Sequence, residues 1–255
     1  MLKNKNSIFE WGLWLTIILT GLALIITHAA LLKLPNTACL GSSADGLKNY
    51  YTPLYHVKYD TGYHRFEGMN YPYGEQVVFS DNQPLLSNSI KLFSQYIYDI
   101  SDYTIGFVNL SMLFSIILCG VFLYLILRRF LLPQWFSGLA ATMIALLSPQ
   151  IFRMGGHYAL AHAFVIPLII YVSLWFAENK SYFKSFVIAM LIILVSTLHF
   201  YYFALSAFFI SFLLLFQLLG SFSKKNFLTT VAHGLIQVVL PFVLLTLWIN
   251  WTSAD

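Results

Sequence analysis

Apolar and polar positions alternate along this chain in blocks rather than residue by residue. Apolar runs fall at Trp11–Leu32, Ile105–Leu127, Trp135–Leu147, Ala163–Ala177, Phe186–Leu198, Phe203–Leu219 and Phe227–Trp248. A helix needs about 20 apolar residues to cross roughly 30 Å of hydrocarbon. The third, fourth and fifth runs are short as drawn and borrow flanking residues. The pattern predicts an all-α, polytopic transmembrane helical bundle of about seven spans. It divides into residues 1–33 (N-terminus and first transmembrane helix), 34–103 (a polar loop) and 104–255 (six further transmembrane helices).

The polar block from Pro35 to Tyr103 holds Asp45, Asp60, Glu67, Glu75, Asp81, Asp99 and Asp102, with tyrosines at 50, 51, 55, 59, 63, 71 and 73. So many aromatic residues can bury surface, which predicts an ordered loop folded against the helix ends. Tyr51, Leu54, Tyr55 and Lys58 recur at near-helical spacing, predicting a helix over Asp45–Tyr59. Tyr71-Pro-Tyr-Gly74 reads as a turn, because Pro presets φ and Gly tolerates positive φ. Leu86, Ile90, Phe93 and Ile97 would form the apolar face of a helix over Leu85–Ile100, suited to the membrane interface.

Composition and charge sharpen this picture. Charged residues make up 9% and hydrophobic residues 59% of the chain, against about 25% charged in a soluble domain. The formal net charge of +4 therefore reports orientation before it suggests nucleic acid, and no nucleic-acid partner is expected. Lys3 and Lys5 precede the first run, Arg128 and Arg129 close the second, and Lys180, Lys184, Lys224 and Lys225 occupy later short connections. The positive-inside rule puts these in the cytoplasm and the long loop outside, as in a multi-pass protein of the cytoplasmic (inner) membrane. The first run is too long for a signal-peptide core and reads as a retained helix. Cys39 and Cys119, one in the loop and one in an apolar run, predict no disulfide. The chain reads as the N-terminal part of a longer protein.

Three outward-facing groups could carry chemistry. Asp45, in Gly41-Ser-Ser-Ala-Asp-Gly46, could serve as a general base towards a hydroxyl or hold a divalent cation beside a phosphate. An N-cap would equally explain it. Arg153, His157 and His162 lie in one connection; guanidinium matches phosphate oxygens bidentately and histidine can neutralise or shuttle a proton. A polar hairpin tip is the competing account. His157 and His162 are five apart and cannot share one helical face as a metal pair. His199 marks a further outward tip, while His28 and His233 suit helix packing. Amide, carboxylate and tyrosine groups interleaved with turns, at Glu67–Glu75 and Ser80–Pro84, suit a sugar surface or any ordered loop. No phosphate-binding Gly loop, zinc-finger spacing or HExxH occurs.

Asp45-Gly46 with its following tyrosines, Tyr71-Pro-Tyr-Gly74, Ser80-Asp-Asn-Gln-Pro-Leu85 and Gly156-His-Tyr-Ala-Leu-Ala-His162, on one span followed by a long outer loop and more spans, resemble the N-terminal membrane module of the GT-C glycosyltransferases, especially their putative bacterial members. The resemblance implies transfer of a sugar from a polyprenyl-phosphate donor to a glycan, lipid or protein acceptor on the outer face. It implies Asp45 as the catalytic acid of the first loop and Arg153, His157 and His162 as ligands of the donor phosphate. Tyr50, Tyr51, Tyr71, Tyr73, Glu75, Asp81, Asn82 and His199 would form the substrate surface. Many members pair two acids where this chain has Asp45 followed by Gly46 and Leu47, so a cation is implied only if another group completes its site. A transporter or flippase for lipid-linked glycans would share the aromatic surface, but calls for ionisable groups near the midplane. A non-catalytic assembly subunit would need no second acid.

Overall fold

The apolar runs become helices because a backbone in hydrocarbon must satisfy its own hydrogen bonds. The computed structural model describes residues 10–41, 43–220 and 223–253; Lys3 and Lys5 lie outside them. Helix α1 (Trp11–Thr27) bends at His28 into the short α2 (Ala29–Lys33). The polar loop carries α3 (Ala44–Lys58), strands β1 (Arg65–Phe66) and β2 (Glu75–Gln76), and α4 (Pro84–Tyr96). Then come α5 (Thr104–Arg129), α6 (Gln134–Leu146), α7 (Val165–Glu178), α8 (Tyr182–Ser196), α9 (Tyr201–Gly220), α10 (Lys224–Gly234) and α11 (Leu240–Thr252).

The chain is nearly all-α and built for a membrane. Helical stretches at Ser101–Arg129, Gln134–Gly155, Tyr158–Glu178, Tyr201–Gly220 and Lys224–Thr252 are long and apolar enough to cross one, while Trp11–Thr27 and Tyr182–Ser196 are apolar but shorter. Helices α10 and α11 run together through a π-helical stretch, Leu235–Val239. From that wider turn Gln237 Nε2 donates to Ser185 Oγ at 2.8 Å, and His233 Nδ1, just before it, lies 2.8 Å from the same hydroxyl. His233 thus joins helices, the role its position suggested.

Three apolar clusters hold the bundle, the smallest of them Val165, Val195, Leu198 and Tyr202. Leu24, Val108, Met112, Ile116, Ala145 and Tyr158 join α1, α5 and α6 to the 149–160 connection. Ile169, Val172, Phe176, Ile188, Ile192 and Ile210 join α7, α8 and α9. Helices α1 and α6 approach closely at small residues, where Thr16 Oγ1 donates to Gly138 O at 3.4 Å and Gly12 N to Gln134 Oε1 at 3.2 Å, a packing mode favoured in lipid. Arg128 pairs with Glu10 at 3.2 Å and Arg129 with Glu178 at 2.5 Å. The start of α1 and the ends of α5 and α7 therefore lie together, at the end opposite the polar loop.

The loop has its own small core. Lys91 is buried, and its ammonium donates to His56 O, Asp60 O and Gly62 O at 3.2, 2.6 and 2.5 Å; burial pushes it below the usual lysine range. His56 bridges Asp60 Oδ2 (2.6 Å) and Asn88 Oδ1 (2.8 Å). This core redirects α4. Ile90 packs inward with Lys91, while Phe93 and Ile97 stay exposed, so the expected apolar face is split between the loop and the outside. The helix also ends at Tyr96, earlier than Ile100.

Candidate functional site

The site starts from a close backbone contact. Gly41 lies against Gly155, so near that a side-chain carbon at 41 would stand 2.4 Å from Gly155 O. Gly41 N donates to Tyr158 Oη at 3.1 Å, and the Tyr158 ring packs edge-on against Tyr50, centroids 4.7 Å apart. Tyr50 Oη in turn accepts from Leu40 N and donates to Asn109 Oδ1 at 2.6 Å. Asn109 Nδ2 donates to Pro35 O and Ala38 O. The start of the polar loop is thereby tied to α5 and to the connection between α6 and α7. Tyr50, expected on a substrate surface, is a buried member of this frame.

Next, α3 begins. Its cap is Ser43, whose Oγ accepts from Gly46 N at 3.2 Å, so Asp45 is free of that duty and sits in the first turn. One turn on, the buried Asn49 donates from Nδ2 to both Asp45 O and Gly156 O at 2.9 Å. A single amide thus clasps the backbone bearing Asp45 to the turn leading to His157. The two side chains face each other at 3.9 Å, Asp45 65% and His157 50% exposed. That separation exceeds a hydrogen bond and leaves room for a shared partner.

These residues border a cavity of about 910 Å³ lined by Ser43, Asp45, Gln150, Arg153, His157 and Tyr201, among others. Arg153 is exposed there, and its guanidinium has no hydrogen-bond or ion-pair partner among the described residues. Tyr202 and Leu205 belong both to this cavity and to a narrower one of about 200 Å³ between α7 and α9, lined by Ile166, Ile169, Ile170, Phe208 and Phe209. A polar chamber bearing Asp45, Arg153 and His157 therefore adjoins an apolar slot.

The structure separates other residues that the sequence grouped. His162 is buried away from the chamber, with Nε2 at 2.8 Å from Gln83 Oε1. Tyr71 and Tyr73 are 93% and 81% exposed on the turn between the two strands, whose neighbour is the end of α11, where Gln76 Nε2 donates to Thr252 Oγ1 at 3.1 Å. Glu75 accepts from Asn70 beside them. Tyr51 Oη donates to Gly68 O at 2.8 Å. Asn82 is buried, donating from Nδ2 to Thr52 O at 3.3 Å.

Asp81 and His199 come together beside the chamber. Asp81 Oδ2 receives Lys48 Nζ at 3.0 Å, and its Oδ1 lies 3.7 Å from His199 Nε2. The His199 imidazole and the Lys48 ammonium hold the Asp81 carboxyl down to about 2. Sequence reasoning missed Lys48, Asn49, Gln150, Tyr201 and Tyr202. Each lies within a few residues of Asp45, Arg153 or His199, and that nearness was the one signal.

The described residues form no all-protein cage for a divalent cation, and an ion held by Asp45 would take its other oxygens from water and a bound phosphate. Such an ion takes six or more oxygen ligands. Asp45 has only His157 as a titratable neighbour within ion-pair distance, and no three His, Cys, Asp or Glu side chains converge among the described residues. Cys39 is exposed and Cys119 buried, and both are free.

No curated protein and no solved structure matches the chain. Residues 16–254 match a family described as a domain of unknown function, DUF6311, and the chain belongs to that family.

Proposed function

We propose that the protein is a membrane glycosyltransferase of the GT-C kind, moving a sugar from a polyprenyl-phosphate donor to a hydroxyl acceptor outside the cytoplasmic membrane. The observation that carries this reading is the meeting of Asp45, His157 and Arg153, the last without a partner among the described residues, around one chamber, with the apolar slot opening from its wall. An anionic head on a hydrocarbon tail matches that pair of cavities in both charge and polarity. In this reading α1 with α2, and α8, also cross the membrane, giving seven spans. The end bearing Arg128 and Arg129 is cytoplasmic, and the loop that carries α3 and α4 lies outside.

The chemistry assigned is a direct displacement. The Asp45 carboxylate accepts the proton of the acceptor hydroxyl as its oxygen bonds to the anomeric carbon. The bond from that carbon to the phosphate oxygen breaks, and polyprenyl phosphate leaves with the electron pair. Arg153, with His157 beside it, stabilises the charge gathering on the phosphate. No step uses a metal ion.

The test separates binding from transfer. Native mass spectrometry with added polyprenyl phosphate should show the lipid held by the wild type and by Asp45→Asn, and lost in Arg153→Ala. Transfer from polyprenyl-phosphate sugars should fall about 10²- to 10⁴-fold in Asp45→Asn, the usual range for a lost general base. Full transfer in Asp45→Asn, or lipid held equally by Arg153→Ala, would sink the assignment.

A further inference from the structure

We propose that Asp81 is a positioning residue that fixes the distance between the two walls of the chamber: the start of α3, which bears Asp45, and the tip between α8 and α9, which bears Tyr201. Only the consequence for transfer rests on the glycosyltransferase reading; the bracing itself is read from contacts.

A polar chain can be followed from one wall to the other. His157 faces Asp45 at 3.9 Å. Lys48 follows Asp45 by three residues and so neighbours it on the helix surface. Lys48 Nζ lies 3.0 Å from Asp81 Oδ2, and Asp81 Oδ1 3.7 Å from His199 Nε2. His199 Nδ1 accepts from Tyr201 N at 3.2 Å, which leaves Nε2 to carry the proton that faces Asp81. Tyr201 closes the circuit as a lining residue of the chamber. Asp81 is the one member of this chain that touches both walls.

Its backbone is built for the task. Asp81 and Gln83 take positive φ, +59° and +52°, a region that non-glycine residues hold only where their surroundings enforce it. Here they do. Thr52 Oγ1 donates to Asp81 O at 3.4 Å and Asn82 Nδ2 to Thr52 O at 3.3 Å, pinning one side to α3. On the other side Leu85 N donates to Thr197 O at 3.0 Å, and His162 meets Gln83 at 2.8 Å. Ser80, Asn82 and Gln83 are buried, whereas the Asp81 side chain stays 31% exposed between Lys48 and His199. The turn is thus a strut, with Asp81 as its only charged contact.

Hydrogen–deuterium exchange on the full chain in lipid nanodiscs tests this. Asp81→Asn should speed exchange about tenfold at residues 43–48 and 199–203, leaving residues 56–62 around Lys91 unchanged. Asp81→Glu, which keeps the charge, should recover most of the protection. In the transfer assay Asp81→Asn should lower kcat with donor KM little changed, since Arg153 is untouched. His199→Gln, a milder change, should loosen 199–203 alone. Unchanged exchange at both walls overturns the proposal. So does faster exchange throughout the loop, which would make Asp81 a general brace of the fold. A wild type that transfers no sugar defeats the glycosyltransferase reading but leaves the exchange comparison intact.

Discussion

Gly41→Ala tests whether the chamber depends on the contact between Gly41 and Gly155. The added carbon would stand 2.4 Å from Gly155 O, 2.9 Å from Gly155 C and 3.1 Å from Tyr158 Oη. The first two are backbone atoms and cannot swing aside. Reaching ordinary contact, which begins at 3.4 Å, requires about 1 Å of separation between the two segments. Overpacking of this kind costs about 1–3 kcal/mol. The displaced turn leads directly into His157, so the gap to Asp45 widens as well. A misplacement of about 1 Å among reacting groups can cost on the order of 100-fold in rate. Thermal unfolding in detergent reads the first effect, and transfer or retention of polyprenyl phosphate the second. Gly21→Ala is the control, because nothing lies within 4 Å of the added carbon and the helix gains up to about 1 kcal/mol. If Gly41→Ala unfolds with the wild type and keeps full function, the packing argument is wrong.

Two further outcomes follow from buried and charged groups in the loop. Lys91→Met should cost about 3 kcal/mol or more, because His56 O, Asp60 O and Gly62 O all lose their donor inside the loop core. Limited proteolysis should then cut within residues 56–66, and an unchanged pattern would contradict it. Asp81 has its carboxyl lowered from 3.8 to about 2 by His199 and Lys48, so the folded loop favours the ionised form. Its contribution is complete above the unfolded value of 3.8 and drains away as pH falls through about 2. With the side chain 31% exposed, the contribution is on the order of 1–2 kcal/mol. Protection at 43–48, taken as exchange relative to the intrinsic amide rate at each pH, should fall between pH 4 and pH 2 in the wild type and stay flat in Asp81→Asn.

The membrane character and helical nature were legible because each rests on local pattern. About 20 apolar residues in a row admit few structures other than a helix in lipid. Helix ends were less legible. The expected helix over Leu85–Ile100 stops at Tyr96, and its apolar face is divided because Lys91 turns inward to bind three carbonyls. A lysine reads as a solvent-facing residue in any periodicity argument; only the folded loop supplies the acceptors that let it be buried. The π-helical stretch at Leu235–Val239 is similar, since its benefit is a bond from Gln237 to Ser185, 52 residues away.

The candidate site divides along the same line. Topology could place Asp45, Arg153, His157 and His199 at one end of the bundle, but distance between connections is a matter of packing. Asn49 shows why. Its sequence position, one turn after Asp45 on the buried side of α3, gives no hint that its amide reaches Gly156 O at 2.9 Å. His162 shows the opposite error. Nearness in sequence grouped it with His157, yet the 158–160 turn carries it into the core, where Gln83 receives it. Residues in this loop were readable as polar, and it took the Gly41–Gly155 contact to decide which of them face one chamber.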